Sequence, residues 1–161
     1  MAEVKFRMAT VADSKILAEH HVLMFQEILS KQNKPMTLEQ SGKMFDSCIT
    51  KYEDEIPQKR CVAWLMEFDG KTVGSGAVSI ISMTPQSTNP DKYLRAYLHS
   101  VYVCKEYRGN GFTKLLLKEV EIYCRANGLE GILLAASDAG RPIYESYGFE
   151  PIPNYMRFTL N

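Results

Sequence analysis

The chain has 161 residues, 45% hydrophobic and 24% charged, a balance that suits a globular protein with one sizeable core. Its 19 basic and 19 acidic side chains cancel to zero formal charge, without the basic excess of a general nucleic-acid binder. There is no apolar run of about 18 residues to cross a bilayer and no secretory pattern at residues 1–11, and the four cysteines (Cys48, Cys61, Cys104, Cys124) are too scattered for a zinc or C-x-x-C site. The expectation is a single domain over residues 1–161 in the reducing cytoplasm, with no metal and neither nucleic acid nor membrane as partner.

Residues 4–10 read as a short strand. Thr10 followed three residues later by Asp13 has the form of a capping box and opens a helix to about Ser30. His21 interrupts the apolar stripe of Leu17, Met24 and Ile28; the plain reading is a buried, satisfied histidine, the functional one a substrate contact. His20 is expected at the edge. Thr37 and Gln40 repeat the capping signal for a second helix ending near Glu53, where the acidic "YEDE" reads as a solvated helix end. Residues 61–83 are two strands joined at Asp69–Gly70, a strong hairpin signal. Residues 84–92 are a polar, proline-bearing loop, and "AYLHSVYV" (96–103) is a strand by its aromatic and β-branched content.

The helix after Gly111 carries a polar stripe of Lys114, Lys118, Glu121 and Arg125, with Leu116, Val120 and Tyr123 opposite, and Gly128 closes it. The wholly apolar "GILLAA" (131–136) predicts a strand buried on both faces. A short helix over residues 138–147, stopped by Gly148, and a final strand over 155–160 complete an α/β (mixed α+β) order without repeats.

The segment "KEYRGNGFTKLLLKEV" (105–120) is the most informative. Two glycines, Gly109 and Gly111, precede a helix that begins on no capping side chain. Helix N-termini carry partial positive charge and unpaired N–H groups, and glycine lets a ligand approach them closely, so strand, glycine turn and helix make a phosphate cradle. "GNGFTK" lacks the Gly-Lys-Ser/Thr ending of a Walker loop, and Lys114 stands where a dinucleotide fingerprint needs a third glycine.

Arg108-Gly109-Asn110-Gly111-Phe112-Thr113 resembles the Arg/Gln-x-x-Gly-x-Gly/Ala motif of the GNAT superfamily of N-acetyltransferases, with Thr113 in place of the small last residue. Residues 135–160 resemble the C-terminal signature of the same family, Tyr144, Gly148 and Phe149 falling at matching places, while Ser137 stands where many members have asparagine. The resemblance implies a central mixed, mostly antiparallel sheet flanked by helices and splayed at the cofactor-binding strand. It also implies acetyl-CoA as cosubstrate, with direct attack of an amine on the thioester, and a homodimer as the assembly.

Residue by residue, the resemblance implies that the amides of Arg108 to Thr113 (Arg108, Gly109, Asn110, Gly111, Phe112, Thr113) hold pyrophosphate, with added charge from Arg108, and that backbone at Val101 and Val103 pairs with the pantetheine arm. Ser137 is a further cofactor contact, or only the cap of the following helix. Tyr144 would protonate the departing thiolate, Tyr147 being structural. No carboxylate lies on residues 96–103 to serve as base; His99, two positions before Val101 and hence expected on its face, is the candidate for base or water relay, against a packed histidine. Cys104 has no visible base to make it a nucleophile. The acceptor is an unnamed amine, small-molecule or peptide, walled by residues 22–57 and 151–156. Transfer of another acyl group, succinyl or propionyl, and a non-catalytic CoA-binding regulatory domain are the alternatives.

Overall fold

The computed structural model describes residues 3–160; Met1, Ala2 and Asn161, the ends of the expected domain, lie outside them. Five strands form one sheet in chain order: β1 (Lys5–Met8), β2 (Cys61–Phe68), β3 (Lys71–Ser82), β4 (Leu94–Val103) and β5 (Gly131–Leu134). Neighbours are antiparallel except β4 and β5, which run parallel. The parallel pair needs a crossover, and the helix α3 (Phe112–Ala126) supplies it. Helices α1 (Ser14–Lys31) and α2 (Leu38–Glu55) cover one face, α3 and the short α4 (Arg141–Tyr147) the other.

Local chemistry sets most boundaries. Thr37 and Gln40 make both halves of a capping box, at 2.9 and 3.1 Å. Before α1 the Thr10 N–H donates to Asp13 at 2.8 Å, and residues 11–13 form a 3₁₀ turn rather than the first helical turn expected. Asp69 and Gly70 both take left-handed φ (+50° and +72°), the two-residue turn whose twist suits a hairpin.

Strand β2 is buried on both faces. Val62, Trp64 and Met66 meet the α3 core with Leu116, Leu117 and Val120, while Cys61, Ala63 and Leu65 meet Leu17 and Tyr52 under α1 and α2. Each fully buried aliphatic side chain contributes about 1.5–3 kcal/mol of transfer free energy. A Cβ on Gly76 would come within 2.5 Å of Leu116 Cδ2, so glycine there lets α3 lie close on the sheet.

Three expectations are corrected. Residues 155–160 form no strand: among the described residues their backbone makes no hydrogen bond, and Met156, Phe158 and Leu160 are exposed. The apolar run at 131–136 is strand only to Leu134 and only half-buried, because β5 is the sheet's edge. Helix α4 begins at Arg141, not 138, since Ser137 first makes a turn, its carbonyl accepting from Gly140 and Arg141 N–H groups at 3.1 and 2.9 Å.

Candidate active site

Strand β4 organises the site. It pairs with β5 only from Arg95 to Leu98 and then runs on to Val103, leaving the backbone of residues 99–103 with no strand on that side. At the closed end of this opening Arg95 and Glu130 form an ion pair and Glu130 N–H donates to Leu94 O at 2.9 Å, holding the two strands together where they begin.

A bulge lies within the opened stretch. Ser75 faces Tyr102 and Ala77 faces His99, so Gly76 alone opposes Ser100 and Val101. Ser100 takes φ +57°, the left-handed geometry such a bulge usually assigns to glycine, at a cost of about 1–2 kcal/mol for a residue with a Cβ. The extra residue changes the strand's alternation. His99 and Ser100 both bond to groups on the α1/α2 side, whereas Val101 packs toward Leu116 of α3. The expectation that His99 and Val101 share a face is therefore overturned.

After β4 come a 3₁₀ turn (Lys105–Tyr107) and the glycine loop. Gly109 and Gly111 have φ of +82° and +75°, and Gly111 caps α3 with no side-chain acceptor. Among the described residues, the N–H groups of Gly109, Asn110, Gly111, Phe112 and Thr113 bond to nothing. This row of donors stands at the positive end of a 15-residue helix, where partial charge and N–H groups together favour an anion. The Asn110 amide turns back to Tyr107 O at 2.9 Å and braces the turn.

The guanidinium of Arg108 does not add its charge freely to this cradle. Its Nη1 and Nη2 donate to Glu27 Oε2 and Oε1 on α1, both at 2.9 Å, and Nε donates to Val103 O at 2.8 Å. The group also lies 5.5 Å over the Tyr102 ring. The hydrogen-bonded arginine holds the Glu27 carboxyl below the usual range. Beside the pair opens a cleft of about 650 Å³ lined by Leu23, Gln26, Glu27, Tyr102, Lys105 and Arg108.

A hydrogen-bonded cluster that the sequence did not reveal occupies the α1/α2 side of the bulge. His21 Nδ1 is 2.7 Å and His99 Nδ1 2.8 Å from Ser100 Oγ, Tyr52 OH donates to the same oxygen at 3.2 Å, and His99 Nε2 is 2.9 Å from Ser79 Oγ. Burial, reinforced by Lys51 and His21, pushes the His99 pKa down to about 4; burial also lowers His21. His20, expected at the edge, is instead the buried neighbour, 2.8 Å from Ser75 Oγ, its pKa lowered by burial to about 4. His21 is only partly buried.

On the other side of the sheet Tyr144 of α4 packs edge-on against Phe149 (5.7 Å between centroids), and a Cβ on Gly140 would lie 3.0 Å from its ring. Burial raises its pKa, so the phenol is protonated at neutral pH. Its hydroxyl has no hydrogen-bond partner among the described residues and is not sealed from solvent. Ser137 Oγ accepts the Gly140 N–H at 3.2 Å within the turn that precedes α4; the N-cap of α4 is Gly140, with no side-chain cap, so the expected capping role is not what Ser137 performs. Tyr147 is tied to Glu121 of α3 at 2.6 Å. Burial raises the Cys104 thiol pKa, the opposite of an activated nucleophile. Among the described residues no group of three His, Cys, Asp or Glu could hold a metal, and no helix is long and apolar enough to cross a membrane.

Strand β4 parts from its parallel neighbour and leads into a row of N–H groups that have no partner among the described residues. Residues 25–149 match the acetyltransferase (GNAT) family, and the chain belongs to it. Glucosamine 6-phosphate N-acetyltransferase of Trypanosoma brucei brucei is 30% identical over 91 residues, which cover 56% of this chain and 59% of that relative's length. The fold is shared with a predicted acetyltransferase from Clostridium acetobutylicum, solved with acetyl-CoA (TM-score 0.83, 19% identity, 98% of this chain and 96% of that one). It is shared equally with a GCN5-related N-acetyltransferase from Ralstonia eutropha JMP134 (TM-score 0.84, 20% identity, 98% and 99%).

Proposed function

We propose that the protein is an N-acetyltransferase that moves the acetyl group of acetyl-CoA to a primary amine by direct attack. The observation that carries this reading is the continuity of the unpaired β4 edge with the free N–H groups of the glycine loop. An extended pantetheine arm can pair with backbone at Val101 and Val103 as an added strand, leaving the pyrophosphate at the amides from Gly109 to Thr113. Acetyl-CoA supplies an activated carbonyl. Tyr144 holds the proton that the departing sulfur takes, and a backbone N–H of the opened strand polarises the carbonyl oxygen.

His99 does not meet the amine directly in this reading, since both ring nitrogens are engaged by Ser79 and Ser100. It belongs to a relay. The amine approaches from the α1/α2 side, where the cleft beside Glu27 lies. The name of the trypanosome relative makes glucosamine 6-phosphate the first acceptor to try. A cytoplasmic location is in keeping with four free thiols, and a homodimer with the apolar side chains exposed on residues 155–160.

Thermal unfolding with acetyl-CoA, CoA, succinyl-CoA, ATP and NAD tests the cradle. A ligand at about 100 times its dissociation constant adds about 2.7 kcal/mol, worth several degrees. Stabilisation by the CoA species and not by ATP or NAD is expected. No shift with any CoA species overturns the reading.

A further inference from the structure

Ser100 has one proton to give and two histidines to satisfy. Tyr52 already donates to its oxygen, and the Nδ1 atoms of His21 and His99 lie 2.7 and 2.8 Å away. With both rings neutral, the serine accepts from one ring and donates to the other, so the two histidines hold opposite tautomers. In one arrangement His21 donates from Nδ1, Ser100 donates to His99 Nδ1, and His99 donates from Nε2 to Ser79. That arrangement leaves a lone pair on His21 Nε2. This atom has no partner among the described residues and is not sealed from solvent. The other end of the chain, Ser79, is partly exposed, while Ser100 in the middle is 5% exposed. The titratable groups that act on the chain from α2 are Cys48, Lys51, Tyr52 and Glu55, and from β2 Cys61; among the described residues no carboxylate hydrogen-bonds to any member of it.

We propose that His21 is the proton acceptor for the attacking amine, and that Ser100, His99 and Ser79 form a wire that carries the proton across the buried side of the bulge to solvent. As the amine nitrogen bonds to the acetyl carbon, its proton passes to His21 Nε2. The Nδ1 proton of His21 moves to Ser100, the Ser100 proton to His99 Nδ1, the His99 Nε2 proton to Ser79, and the Ser79 proton to water. Each residue keeps its total of protons, both histidines end in the opposite tautomer, and one proton leaves the site; return of the two rings to the starting tautomers completes the cycle. Burial lowers the pKa of both histidines, keeping them neutral and able to accept at pH 7. The left-handed Ser100 also acquires a reason: the bulge that opens β4 turns His99 and this hydroxyl to the same side. The proposal rests on the acetyl-transfer reading above, which named no acceptor for the amine proton.

Two measurements on the full chain test it. Long-range ¹H–¹⁵N NMR of histidine-labelled protein with bound CoA should find the His21 proton on Nδ1 and the His99 proton on Nε2; a His21 proton on Nε2 overturns the wire's direction and the proposal. In acetyl-CoA turnover with glucosamine 6-phosphate and a panel of primary amines, His21→Gln and Ser100→Gly should lower kcat about 100-fold or more. Both should leave the KM for acetyl-CoA unchanged and remove the acid limb of the kcat–pH profile. Ser100→Gly keeps the left-handed backbone, so it separates the hydroxyl from the fold. Wild-type kcat and acid limb in either variant sink the proposal while the acetyl-transfer reading stands. A wild type that binds CoA but acetylates no amine sinks both.

Discussion

Glu27 of α1 and Arg108 at the mouth of the glycine loop meet through two parallel hydrogen bonds, each 2.9 Å long. The pair joins a helix on one face of the sheet to the loop that leads into the helix on the other. Arg108 also reaches Val103 O, so one guanidinium fixes the end of β4, the loop and α1 together.

Glu27→Ala is expected to loosen that three-way join. Both side chains are partly exposed, so the loss of stability should be about 1 kcal/mol or less. The effect on the loop should be larger than the effect on the fold. Calorimetric titration with CoA should show weakened binding, whereas Lys43→Ala, which breaks an exposed pair on α2, should leave binding unchanged.

Tyr144→Phe keeps the packing against Phe149 and removes only the hydroxyl. The expected result is a fall in kcat of about 100-fold with CoA affinity retained, read by steady-state kinetics beside calorimetry. Unchanged turnover removes Tyr144 from the proton-donor role. Tyr147→Phe, which cuts the bond to Glu121, should cost stability and little turnover.

Gly109→Ala and Gly111→Ala force a Cβ onto left-handed backbone, at about 1–2 kcal/mol each. Neither added carbon meets a neighbour within 4 Å, so the penalty is conformational, and relief comes by moving the loop. Both variants should fold with lowered Tm and bind CoA more weakly.

Acid should destabilise the protein earlier than carboxylate titration alone would. His20 and His99 have pKa values near 4 in the folded chain and about 6.5 when unfolded. As pH falls below about 6.5 the unfolded chain takes up protons that the folded chain refuses. The stabilisation from these neutral histidines is whole above that pH and lost progressively toward pH 4. Two such groups give a limiting slope of about 2.7 kcal/mol per pH unit. Thermal unfolding at pH 7 and pH 5 should show the drop, and His20→Gln should flatten it.

What was legible in the sequence was local. Thr37 with Gln40 marked a helix start, Asp69–Gly70 a hairpin and Gly109 with Gly111 an uncapped helix, because each feature is written in neighbouring residues. The bulge was not legible, since nothing about Ser100 announces a left-handed residue and one inserted position reverses every side chain after it. The His21–Ser100 bond joins residues 79 apart, which no spacing rule can find. Residues 155–160 have the side chains of a strand, but a strand exists only with a paired neighbour, and among the described residues none bonds to their backbone.

The opening along β4 also bears on how the purified protein behaves in a tube. A sheet edge without a neighbouring strand is a template for any extended chain, including another molecule's strand, and residues 99–102 present one, Val103 O being taken by Arg108. The exposed side chains of Tyr155, Met156, Phe158 and Leu160 give such a chain something apolar to bring. Ligand that lies along β4 shields the edge it uses. Solubility and shelf life should therefore follow occupancy of the cleft rather than melting temperature, with the ligand-free protein clouding first on concentration.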